Sequence, residues 1–118
     1  MALEEELLQR QAPQSLEAEQ AVLGSILIDS RCVADVIGLV MPEDFYLQQN
    51  REIFEAIYTM FNYSQTIDPV TVLDKMREMG VYRDNSRDYI LQLMEITPTA
   101  ANAVRYANIV RDKARLRG

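Results

Sequence analysis

The residues that could do chemistry are few, and none falls into a catalytic spacing. The 118 residues contain no histidine, so neither a Ser-His-Asp nor a Cys-His relay can be assembled. One cysteine, Cys32, in the absence of histidine excludes a conventional zinc site. The lysines are Lys75 and Lys113, and neither follows a glycine, so the glycine-rich phosphate loop that ends in Gly-Lys is missing. Carboxylate pairs do occur: Glu43 beside Asp44, and Glu52 with Glu55 at helical spacing. Such pairs can serve hydrolysis or hold a metal, but solvated helix faces account for them more simply. Cys32 stands next to Arg31 near a helix start, a place where a thiol pKa can fall. A small, inert, half-buried thiol is the plainer reading.

The elements that would position these groups are helical almost throughout. Hydrophobic residues make up 48% and charged residues 25% of the chain, the balance of a single globular domain. No apolar run approaches the roughly 20 residues of a membrane helix. The N-terminus "MALEEELLQR" is acidic, unlike a secretory leader. A lone cysteine fits a reducing compartment, and the cytoplasm is the expected location. The net charge of −6 should repel a phosphate backbone, so little direct DNA binding is expected. Only residues 105–118 are basic, with Arg105, Arg111, Lys113, Arg115 and Arg117 against Asp112. Cations near a helix C-terminus explain that run.

Residues 1–14 read as an acidic tail. Ser15 can cap a first helix, with Glu17 and Glu19 as first-turn acids that suit its dipole. Leu16, Leu23 and Leu27 form its stripe, flanked by Val22 and Ile26. Gly24 in mid-helix costs about 1 kcal/mol relative to alanine and suggests a close helix–helix approach. Asp29 or Ser30 can cap a second helix carrying Val33, Val36, Ile37 and Val40, which Pro42 stops. A third helix runs from about Gln48 to about Asn62. Asp68 and Pro69 start a fourth, and Gly80 ends it. Ser86 can cap a fifth, with Tyr89, Ile90, Leu93 and Met94. A sixth follows "TPT", with Ala103, Ala107, Val110 and Ala114 facing inward. Its abrupt charged end suggests that the native protein continues. The expected fold is an all-α, compact bundle of about six helices. Residue chemistry alone goes no further than an acidic interaction module.

Four stretches add a resemblance. "PQSLEAEQAVLGSILID", "MPEDFYLQQNREIFEAI", "IDPVTVLDKM" and "ITPTAANAVRYANIVRDKARLR" together resemble the N-terminal domain of bacterial DnaB-type replicative helicases, in order and spacing. One place departs: where the family commonly has a Gly-Gly turn before a Tyr-Leu pair, this chain has Asn85-Ser86 before Tyr89-Ile90.

The resemblance implies a helical head over 15–104 and the truncated first helix of a helical hairpin over 105–118. It implies a non-catalytic assembly and primase-docking domain within a hexameric collar built as a trimer of dimers. ATP and magnesium would belong to an absent C-terminal domain, leaving no cofactor, metal or catalytic residue in this part. Expected partners are further copies of the chain, the C-terminal domain of primase and a helicase loader. Candidate contact residues are Tyr89, Tyr106, Ile109 and Lys113, each weighed against ordinary packing or solvation. On this reading Tyr89→Ala weakens primase binding and leaves the melting temperature nearly unchanged. Competing readings are the helicase-binding C-terminal domain of primase, a DNA-binding helical domain using the basic last helix, a hydrolase using Glu43 or Asp44, and an unrelated helical interaction module.

Overall fold

A computed structural model describes residues 14–118; the acidic tail expected over 1–14 lies outside them except for its last residue. Six α-helices and no strand occur among the described residues: α1 (Leu16–Ile28), α2 (Val33–Ile37), α3 (Gln48–Asn62), α4 (Pro69–Glu78), α5 (Ser86–Glu95) and α6 (Ala103–Arg117). Two 3-10 turns, Ser30–Cys32 and Pro42–Asp44, connect them.

Local chemistry sets most of these ends. Ser15 Oγ accepts from the Ala18 N–H at 3.2 Å and opens α1. At α4, Asp68 Oδ1 accepts from the Thr71 N–H and Thr71 Oγ1 from the Asp68 N–H, both at 2.9 Å, with Pro69 first in the helix. Gly80, at φ +75°, closes α4. There the Val81 N–H reaches the Met76 carbonyl and the Gly80 N–H that of Arg77, the hydrogen-bond pair of a left-handed helix cap.

Three expectations are corrected. The second helix is split: Asp29 caps the 3-10 turn by accepting from the Arg31 N–H, and α2 ends at Ile37. Val40 is buried in extended chain instead, because Pro42 disfavours helical backbone at Met41, which adopts φ −111° and ψ 159°. Ser86 does not cap α5 forward. Its hydroxyl accepts from the Arg83 N–H at 2.8 Å and holds the preceding turn. Leu16 is exposed rather than part of the α1 stripe, since it precedes the turn at which α1 becomes enclosed.

Helix α1 is the central element. It packs against α6, α5 and α3, and every residue from Val22 to Leu27 is buried. A helix enclosed on all sides is apolar all round rather than striped. Phe45 stacks on Phe54 with ring centroids 4.7 Å apart, and both are fully buried beside Leu23, Ile26 and Ile57. Gly24 supplies the predicted close approach. A Cβ at that position would fall 2.5 Å from the Leu93 carbonyl oxygen and closer still to Thr97 Oγ1. The boundary expected at 104/105 falls inside α6, one continuous helix whose Ala103, Ala107 and Val110 are buried.

Candidate partner-binding surface

The charge in the core comes from Glu19. The residue is 1% exposed, and its carboxylate accepts from the Tyr46 N–H at 2.7 Å, the Leu47 N–H at 3.3 Å and Asn50 Nδ2 at 3.0 Å. Leu47 precedes α3 and has no side-chain cap of its own. A carboxylate of α1 therefore supplies the acceptor at the N-terminus of α3, where negative charge also suits the dipole. Glu19 is the first-turn acid of α1 that the sequence indicated, and its distant partners around the start of α3 are what the sequence did not show. Arg51 completes the clamp by donating to the carbonyls of Phe45 and Tyr46, each at 3.2 Å. Arg117 Nη2 donates to the Asp44 carbonyl at 2.6 Å, and its guanidinium lies 5.3 Å from the Tyr46 ring centroid.

Tyr89 joins this network. Its hydroxyl donates to Asn50 Oδ1 at 2.5 Å and accepts from Gln20 Nε2 at 3.4 Å. The side chain is half-buried against the core, and burial pushes its pKa above the ordinary 10.0. Removing it would leave a buried amide oxygen without a partner. The expectation that Tyr89→Ala spares stability is thus revised to a clear loss.

Gln20 leads from the network to the surface. A groove of about 250 Å³ is lined by Gln20 and Ala21 of α1 together with Ile96, Pro98, Asn102 and Tyr106. Glu17, which is exposed, also lines it. Tyr106 therefore lies in a recess next to the residue that binds Tyr89. Ile109 and Lys113 continue along α6 at +3 and +7 from Tyr106, outside the groove; Ile109 packs on the core and Lys113 is half-buried. Gln20 thus bonds Tyr89 and lines the groove with Tyr106, while Ile109 and Lys113 lie farther along α6.

The reactive candidates are separated. Glu52 pairs with Arg83 of the α4–α5 connector at 2.7 Å, while Glu55 is exposed. Asp44 Oδ2 accepts from the Met41 N–H at 2.8 Å. Among the described residues no three carboxylate or thiol groups gather as a metal site. Cys32 is half-buried, and burial, with the charges of Asp29 and Asp35, raises its pKa to about 11. Arg31 turns instead to Asp29, at 2.8 and 2.9 Å, and holds that carboxyl below its ordinary value. Among the described residues no helix is long and apolar enough to cross a membrane.

The described residues form an all-helical domain with a charged internal clamp and a grooved outer face. Residues 11–112 match the DnaB-like helicase N terminal domain, and the chain belongs to that family. The crystal structure of the N-terminal domain of DnaB helicase from Mycobacterium tuberculosis shares its fold, with a TM-score of 0.85 and 39% identity over 91% of this chain and 78% of that one. The replicative DNA helicase DnaB of Leifsonia xyli subsp. xyli is 38% identical over 110 residues, and that of Geobacillus stearothermophilus 36% identical over 115 residues. Each match covers 92% of this chain and 24% of the relative, so the chain spans about a quarter of their length. The resemblance and the all-α fold read from the sequence are both borne out, on the helicase rather than the primase side.

Proposed function

We propose that this domain is the non-catalytic N-terminal assembly and primase-docking part of a hexameric, ATP-driven replicative helicase, acting in the cytoplasm within a collar at the replication fork. The family match over residues 11–112, with the shared fold, carries this reading. ATP, magnesium and unwinding belong on this reading to a separate C-terminal domain. A helicase loader is a further partner of the same collar.

We assign the candidate contacts two roles. Tyr89 spends its hydroxyl on Asn50 and is a positioning residue: it fixes Gln20 beneath the groove. Tyr106, Ile109 and Lys113 share one side of α6 and are the proposed contact residues. Light-scattering mass, measured alone and with the C-terminal domain of primase from the same organism, tests the proposal. A stable complex is expected, weakened by Tyr106→Ala or Lys113→Glu with the helical circular-dichroism signal unchanged. No mass increase from a folded protein overturns docking by this domain.

A further inference from the structure

The groove over α1 has a chemistry that selects one kind of occupant. Its lining carries one formal charge, the carboxylate of Glu17, which is exposed and makes no ion pair among the described residues. No lysine or arginine lines it. The side chain of Asn102 makes no capping bond at the start of α6, and Gln20 uses only its amide nitrogen, so two amide oxygens remain as acceptors. Tyr106 contributes an aromatic wall, and Ile96 and Pro98 an apolar one; Ile96 is half exposed. A volume of about 250 Å³ admits one long side chain.

We propose that this groove docks an arginine presented by a partner protein. The guanidinium would meet the Glu17 carboxylate and the Tyr106 ring, and the aliphatic stem would cover Ile96 and Pro98. Arginine fits better than lysine because its planar head stacks on an aromatic ring and offers five donors to several acceptors at once. An anion fits poorly. The N-terminus of α6 opens nearby, but Thr99 Oγ1 already accepts from the Ala101 N–H of the turn leading into it, and Glu17 repels negative charge. A partner protein with a basic surface is the occupant, because the net charge of −6 draws such surfaces. The inference stands whether or not primase is that partner.

The test is a nuclear magnetic resonance titration of the isotope-labelled chain with N-acetyl-arginine amide, against the citrulline and glutamate counterparts. Saturable shifts are expected at the amides of Thr99 and Asn102 and the side-chain amide of Gln20. Glu17→Gln should weaken binding roughly two- to five-fold, as for an exposed ion pair. Tyr106→Leu, which keeps the apolar contact and removes the ring, should cost about the same. Citrulline binding as tightly as arginine, preference for glutamate, or indifference to Glu17→Gln overturns the proposal. So does a mass doubling of the unliganded chain that the arginine probe abolishes, since that assigns the groove to a second copy.

Discussion

Helices α1 and α6 lie against each other, yet they are built on opposite plans. Helix α1 is enclosed: Val22 to Leu27 are buried, Gly24 sits against the end of α5, and Glu19 ties down the segment before α3. Helix α6 buries only Ala103, Ala107 and Val110 and leaves Val104, Arg105, Arg115 and Leu116 exposed. One helix holds the domain together; the other holds onto it by one side and offers the rest. Substitutions in α1 should therefore be read in stability, and, on the function proposed above, those on the outer side of α6 in binding.

The largest effect should come from Glu19→Ala. It would strand two backbone N–H groups and the Asn50 amide in a dry site, costing about 4 kcal/mol. Urea unfolding would measure that cost, and a loss below about 1 kcal/mol would show that water replaces the carboxylate. Gly24→Ala should follow at about 3 kcal/mol, because the added methyl meets the Leu93 backbone and not merely a flexible side chain. Thermal denaturation checks it, and a neutral result would mean that the α1–α5 contact gives way without loss.

Tyr89→Phe should cost about 1 kcal/mol by leaving Asn50 Oδ1 without its donor. The same residue gives a pH signature. Its raised pKa means that the folded state holds the phenol proton more tightly than the unfolded chain. That stabilisation is complete below pH 10 and is lost as pH rises through the folded-state value. Stability measured across this alkaline range should fall less steeply in Tyr89→Phe than in the parent. Equal slopes would remove Tyr89 as the source.

The smallest effects belong to α6. Arg105→Ala and Arg115→Ala should each change stability by less than about 0.5 kcal/mol, as exposed positions do. A loss of 2 kcal/mol or more at either would erase the contrast, because it would make α6 as enclosed as α1.

Much of the fold was legible because its signals are local. Ser15, Asp68 with Thr71, and Gly80 satisfy backbone groups three to five residues away, so their residue types alone mark helix ends. Gly24 announced a close approach but not its partners, Leu93 and Thr97, some 70 positions on. The candidate surface was legible only in part. Tyr106 proved to border a groove, whereas Tyr89 proved to serve the interior.

Residue types and short spacings were enough for the helical class, most helix ends, the absence of histidine chemistry and the family, since none of these depends on distant partners. Tertiary structure alone decided that Glu19 is a buried clamp and Glu17, two residues earlier, an open carboxylate at a groove. Both are acids in the first turn of one helix, and no local rule separates them. The partners of Glu19 lie 27 to 31 residues away, and only the packing of α3 across α1 brings them within hydrogen-bond reach and excludes the water that would otherwise take their place.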